Sequence, residues 1–172
     1  LITGRRDSEK EPLLYSVLNE LYGSEIYNIR KHEITCVINK TKRDLYYRYS
    51  PFHCEITIGE IKIHDRHIIQ KVIQPLVQSK DVLNNKKIII IKKMDKLSQV
   101  SQCSLRRTIE QASRNAVFIL VSEKYSIVED SIRSRSMWIR VPTPKKQRIT
   151  AVLKKMDSIQ NLIGDNQQAW SI

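Results

Sequence analysis

The sequence predicts an α/β protein of the doubly wound kind, a parallel sheet covered by helices on both faces. Two observations predict it. The runs Ile88-Ile89-Ile90-Ile91 and Val117-Phe118-Ile119-Leu120-Val121 are apolar without alternation, the pattern of strands buried on both faces. Stretches with helical spacing lie before, between and after them, and strands separated by helices imply parallel pairing. The chain has 172 residues and 41% hydrophobic content, enough for one core and part of a second unit.

Taken in order, Leu1-Ile2-Thr3-Gly4 reads as the end of a buried strand followed by a turn. Pro12 suits the first turn of a helix, where its missing N–H leaves nothing unpaired. Leu13, Leu14, Val17, Leu18 and Leu21 repeat at helical spacing up to a stop at Gly23. Ile34, Cys36 and Ile38 mark a strand, Asn39 to Lys42 a turn, and Leu45 to Tyr49 its hairpin partner. His53 to Ile58 is the next strand. Asp65 to Gln78 is an amphipathic helix with Ile69, Val72, Ile73 and Leu76 inward, and Pro75 inside it demands a kink or a local break. Asn84-Asn85 marks a turn before the first apolar run. Ser98 is placed to cap a helix carrying Leu105, Ile109 and Ala112. A short helix near Ile127 to Ile132 and a strand at Trp138 to Val141 follow the second run. Pro142-Thr143-Pro144 ends the sheet and opens a helix with Ile149, Val152, Leu153 and Met156. From about Ile159 the periodicity weakens.

Lysine and arginine total 30 against 18 acidic residues, a net charge of +12. Such an excess points to a polyanion, most often nucleic acid. The abundance of Ile, Lys and Asn also fits a biased genomic base composition. Cys36, Cys54 and Cys103 are widely spaced, with no CxxC pair, which argues for buried thiols in a reducing compartment rather than a zinc or redox motif. His64 and His67 lack a third ligand nearby. No stretch reaches membrane-spanning length, and no signal peptide opens the chain. The chain opens at Leu1 without Met, as expected of a fragment.

Four stretches carry a family likeness in the right order. Ser104-Leu105-Arg106-Arg107-Thr108-Ile109-Glu110 is similar to an A-L-R-R-T-M-E helix, and Ser134-Arg135-Ser136 to an S-R-C box with Ser for Cys. Ser50-Pro51-Phe52-His53-Cys54-Glu55 resembles S-x-Y-H-L-E, and Asp65-Arg66 with Ile68-Ile69-Gln70 resembles D-R-x-x-I-Q. Together they resemble the small subunits of replication factor C, the AAA+ clamp loader, and most of all the end-of-ring subunit with degenerate ATP motifs. The resemblance implies a P-loop NTPase type sheet over residues 1–142 and the start of a small helical lid over 143–172, with the collar missing. It implies a nuclear protein whose partners are other loader subunits, the sliding clamp and primer–template DNA, with no membrane.

A P-loop needs glycines for close approach to phosphates, a Lys for charge, and Ser or Thr for Mg²⁺. In Gly4-Arg5-Arg6-Asp7-Ser8-Glu9-Lys10-Glu11, Gly4 and Lys10 remain. Asp7 and Glu9 stand at the loop glycines and Glu11 at the Ser/Thr place. Two like charges about 4 Å apart repel by roughly 4 kcal/mol at an effective dielectric near 20, and a triphosphate would meet three carboxylates. Lys92 and Lys93 hold the acidic places that follow the first apolar run, and Glu123 a sensor-like place after the second. Asp95 reads as structural. The chain is therefore expected to be a pseudo-ATPase with no cofactor of its own, ATP and Mg²⁺ being bound by neighbouring subunits.

By the same resemblance Arg135 is the arginine finger supplied in trans, against the plainer reading of a surface ion pair. Arg66, Lys96, Ser98 and Gln99 are expected against DNA phosphates at helix starts, and Ile73, Leu76 and Val77 against the clamp, though core packing competes for them. Two other readings stay open. One is a divergent active ATPase, for which Lys10 speaks. The other is a DNA-binding scaffold that reuses the fold without clamp loading.

Overall fold

A computed structural model describes residues 1–6, 8–38, 41–59, 65–78, 86–112 and 115–156, and only the backbone of 36–38, 41–45, 65 and 66. The expected turns at Asn39-Lys40 and Asn84-Asn85, Asp7 in the loop, His64, and the tail after Ile159 lie outside the described residues.

Strand β1 (Ile2–Thr3) leads through a loop into helix α1 (Lys10–Tyr22). Gly23, with φ 77°, stops α1 in a backbone conformation that side-chain-bearing residues rarely adopt, and a 3₁₀ turn follows at Ser24–Tyr27. Strands β2 (Arg30–Ile38) and β3 (Thr41–Tyr49) form an antiparallel hairpin, and β3 pairs antiparallel with β4 (His53–Thr57). Then come α2 (Asp65–Ile68), a π-helical turn (Ile69–Ile73) and α3 (Gln74–Gln78). Strand β5 (Lys87–Lys92), a 3₁₀ turn (Met94–Lys96), α4 (Gln99–Ala112) and β6 (Ala116–Ser122) follow. A 3₁₀ turn (Tyr125–Ile127), α5 (Asp130–Arg133), β7 (Ile139–Arg140) and α6 (146–156) complete the described fold.

The seven strands lie in the order β2-β3-β4-β5-β6-β1-β7. Pairing is parallel from β4 through β5, β6 and β1 to β7. This is the predicted parallel sheet, extended at one edge by the hairpin. Strand β5 alternates between two cores: Ile89 and Ile91 join Ile56, Ile69 and Leu105 on one face, and Ile88 and Ile90 join Leu14 and Leu18 on the other. That double burial is why the strand reads as an unbroken apolar run.

Proline 75 gets its predicted break in a particular form. Pro75 has no N–H to offer the preceding turn, and the helix widens to π geometry just before it. The widened turn carries Ile69, Val72 and Ile73 inward, all buried.

Several expectations are corrected. Val117, in the second apolar run, is 44% exposed: it shares a strand face with Ile119 and Val121 but lies outside the core they join. Strand β7 is only two residues long and exposed at the sheet edge. Only Leu14 and Leu18 of the α1 stripe are buried, while Leu13, Val17 and Leu21 face outward. The helix expected after Pro144 is present as α6, and its residues Ile149, Val152, Leu153 and Met156 are exposed. The thiol of Cys54 is buried, but that of Cys103 is exposed.

Candidate functional site

The loop after β1 opens at the carboxyl end of the sheet, where doubly wound folds place ligands. Arg6, Ser8, Lys10, Glu11, Lys92 and Glu123 are among the residues that line a cleft there. Gly4 is required by close approach, since a Cβ on it would meet Ser8 Oγ and the Val141 carbonyl oxygen at 2.5 Å. Lys10 is buried, and its ammonium donates to the carbonyls of Gly4 (2.8 Å) and Arg5 and to Ser8 Oγ (3.0 Å). The loop thus turns oxygens toward its own lysine. Glu9, at the start of α1, pairs with Arg148 of α6 at 2.9 Å.

Behind this loop lies a buried polar network. Strand β4 puts Cys54 and Ile56 into one core and turns His53 and Glu55 to the opposite face, toward α1. Tyr15, one turn after Glu11 on α1, donates its hydroxyl to Glu55 Oε1. Lys92, at the end of β5, is 4% exposed. Its Nζ lies 3.1 Å from Glu11 Oε2, 3.2 Å from Glu55 Oε2 and 3.2 Å from the Tyr15 hydroxyl. Glu55 Oε2 has no aligned hydrogen bond, so charge attraction carries that contact. His53 Nε2 stands 3.2 Å from Glu55 Oε1, and Nδ1 stands 2.8 Å from Ser50 Oγ. With Ser50 Oγ already accepting from the amides of Phe52 and His53, the pattern assigns the serine proton to Nδ1 and a donated N–H at Nε2.

Electrostatics follow from these contacts. Burial alone would raise the Glu55 carboxyl, but hydrogen bonds from His53 and Tyr15 and the Lys92 charge hold it down at about 2. Burial would lower Lys92, but the Glu55 charge outweighs it and the ammonium is raised above its ordinary range. Burial, and then the Glu55 carboxylate, raises the Tyr15 phenol. Lys92 and Glu11 were legible in the sequence as departures from a P-loop pattern, but Tyr15, His53 and Glu55 were not legible as members of the same cluster. The legible signal was a charged residue alternating with apolar ones in a short strand, since a buried carboxylate needs a partner.

Asp95 has a structural role here. Its Oδ1 accepts from the Glu123 amide at 3.0 Å and from Ser122 Oγ at 3.3 Å, tying the turn after β5 to the end of β6. Lys93 adopts a left-handed conformation with φ 56°, which costs a non-glycine residue roughly 1 kcal/mol.

Arg135 lies just past α5, its side chain half-exposed. Its Nε meets Glu110 Oε1 of α4 at 2.9 Å, and NH1 donates to the Ser131 carbonyl at 3.0 Å. The two most specific sequence stretches are thereby joined by one ion pair. Lys96, Ser98 and Gln99 are exposed around the start of α4, and Ser98 Oγ bonds Ser101 Oγ at 3.0 Å. Arg66 is in the first turn of α2, which packs against α4, but its side chain lies outside the described residues. Ile73 is 0% exposed and belongs to the core, which removes it from the expected clamp-contacting set. Leu76 and Val77 are half-buried against that same core. Among the described residues no group of three or more His, Cys, Asp or Glu is positioned for a metal, and no helix is long and apolar enough to cross a membrane.

A mostly parallel sheet whose β1 runs through a Gly-to-Lys loop into α1 is the strand–loop–helix arrangement of P-loop folds. A DNA polymerase III gamma subunit-related protein from Thermotoga maritima shares this fold, with a TM-score of 0.53 at 17% identity over 86% of this chain and 42% of its own. The family described as DNA polymerase III, delta subunit, matches residues 16–145, and the chain belongs to that family of clamp-loader subunits. It is 31% identical over 167 residues to replication factor C subunit 5 of Schizosaccharomyces pombe, covering 94% of this chain and 47% of that one. It is 30% identical over 158 residues to replication factor C subunit 3 of Homo sapiens, covering 89% of this chain and 44% of that one. The chain spans about half the length of the curated relatives it matches.

Proposed function

We propose that this chain is the AAA+ core of a non-catalytic subunit in a replication factor C-type clamp loader. In that role it supports ATP-driven loading of a sliding clamp onto primer–template DNA in the nucleus, and Arg135 completes the ATP site of a neighbouring subunit. The observation that carries the non-catalytic reading is Lys10, buried and bonded to the loop's own oxygens at the place where a nucleotide phosphate would need it. Glu9 and Glu11 stand where a P-loop has a glycine and a hydroxyl, and they are bonded to Arg148 and Lys92 instead of being open to a Mg-bound phosphate. ATP and Mg²⁺ are bound by the neighbours in this reading. Arg135 is suited to the finger because its half-exposed guanidinium is held by Glu110 at a surface, not in the core.

The basic surface gives the DNA side of the proposal. Lys96, Ser98 and Gln99 surround the first turn of a 14-residue helix, where amides and helix dipole favour phosphate. Arg66 joins them by its position on α2. Leu76 and Val77 are the remaining candidates for clamp contact.

The test is reconstitution of the full-length protein with its partner subunits. Arg135→Ala is expected to slow ATP hydrolysis by the assembly while leaving assembly intact. Unchanged hydrolysis would remove the finger assignment. The purified protein alone is expected to show no turnover, and measurable turnover there would favour the divergent ATPase that the retained Lys10 suggests. Salt-sensitive DNA binding without association with a clamp or loader subunits would favour the scaffold reading.

A further inference from the structure

In the sequence, the Ser50 to Glu55 segment carries a family likeness but no evident chemistry. In the structure it is the far end of one continuous polar chain: Ser50, His53, Glu55, Tyr15, Lys92 and Glu11. The near end is what matters. In P-loop NTPases the Ser/Thr after the loop lysine and an acid at the end of a neighbouring strand hold Mg²⁺. Glu11 and Lys92 stand at those two places, and they are bonded to each other at 3.1 Å. A protonated amine offers three N–H donors and no lone pair, so Lys92 cannot ligate a metal. Three oxygens from Glu11, Glu55 and Tyr15 surround its Nζ at 3.1–3.2 Å: Glu11 and Tyr15 accept hydrogen bonds, and Glu55 Oε2 is held by charge. A divalent cation does not fit this set, since it would have to displace a buried positive charge from its counter-ions.

We propose that the Lys92 ammonium is the resident cation of this site. It stands in for the divalent ion, neutralises Glu11 and Glu55, and fixes the end of β5 against α1 in one arrangement that needs neither metal nor nucleotide. The inference rests on the non-hydrolysing reading above and adds what replaces the ligand. It explains why Glu11 and Lys92 differ from the P-loop pattern together. Each reverses the need of the other: a carboxylate where a neutral hydroxyl served, an ammonium where an acid served. Glu55 supplies the second, buried counter-charge, and Tyr15 and His53 orient it.

Thermal unfolding of the full chain tests this, with EDTA, Mg²⁺, Mn²⁺ and metal-free ADP as separate additions. The unsubstituted protein is expected to melt at one temperature in all four. Lys92→Ala is expected to lose several degrees and to regain at least half of the loss with millimolar Mn²⁺ or Mg²⁺, but not with sodium at equal ionic strength. That outcome separates a resident cation from an ordinary buried ion pair, which no metal would rescue. Lys92→Met/Glu55→Gln is expected to melt above Lys92→Met alone and to ignore metal. If Lys92→Ala does not fold alone, its folding with millimolar Mn²⁺ or Mg²⁺ decides: recovery supports the proposal and continued failure overturns it. A rise of the unsubstituted protein's midpoint with Mg²⁺ or ADP, or an unchanged midpoint in Lys92→Ala, also overturns it. ATP hydrolysis by the unsubstituted chain would instead overturn the non-catalytic reading. A metal response without hydrolysis would leave that reading standing and remove only this one.

Discussion

Glu55 must stay ionised to hold Lys92, and its surroundings see to that. A carboxyl held at about 2 rather than its ordinary 4.5 contributes on the order of 3 kcal/mol to folding at neutral pH. Because the folded value is the lower one, this share is present above the unfolded value and is lost as pH falls through the folded one. The window is therefore about 4.5 down to about 2. Lys92 runs the other way. Its folded value is raised above 10.5, so its share is complete below 10.5 and is lost only as pH climbs through that raised value. An acid titration followed by circular dichroism should show a shallower loss of stability between those acid limits in Glu55→Gln than in the unsubstituted protein. Glu11 differs because its side chain is 56% exposed. Glu11→Ala is expected to cost under about 1 kcal/mol, against about 3–5 kcal/mol for Lys92→Met, which strands a buried carboxylate. Denaturant melts distinguish the two. Gly4→Ala is a third case. Its new Cβ would collide with the Val141 backbone oxygen, and a loss of about 1–3 kcal/mol is expected from the forced shift.

Single elements show how far periodicity reaches. The α1 stripe of five apolar residues is real, yet only Leu14 and Leu18 meet the sheet. Spacing identifies a helix and its apolar side, but the width of the covered strip depends on what packs over it. Leu14→Ala and Leu18→Ala should each cost about 2–5 kcal/mol, and Leu13→Ala or Val17→Ala no more than about 0.5 kcal/mol. Equal losses in a urea series would contradict the burial pattern. Pro75 shows the converse. Its effect was legible from chemistry alone, but whether the helix kinks, breaks or widens is decided by the core, which draws in Ile69, Val72 and Ile73 through the π turn. Strand β4 carried the least legible message. His53 and Glu55 look like surface residues of an edge strand until β3 covers one side, β5 the other and α1 the face.

At the scale of the molecule, the net charge of +12 and the exposed start of α4 predict DNA binding without sequence preference. Its affinity should fall linearly with salt on logarithmic axes. Replacing Lys96 with Ala should weaken binding to all sequences alike and reduce that slope by about one ion. A fluorescence anisotropy titration at several salt concentrations reads both. The sequence by itself determined the α/β class, the parallel core strands and the family, because unbroken apolar runs, helix-spaced leucines and the 104–110 and 134–136 stretches are local patterns. It also put Asp7 and Glu9 where a P-loop has glycines and Glu11 where it has a hydroxyl. Only the tertiary structure decided what stands beside Glu11. Glu11, Glu55 and Lys92 are 37 or more residues apart in sequence, and a charge counts for little until burial removes the water that would screen it. Parallel pairing of β4 with β5, and α1 laid across both, bring both carboxylates within 3.2 Å of the Lys92 ammonium.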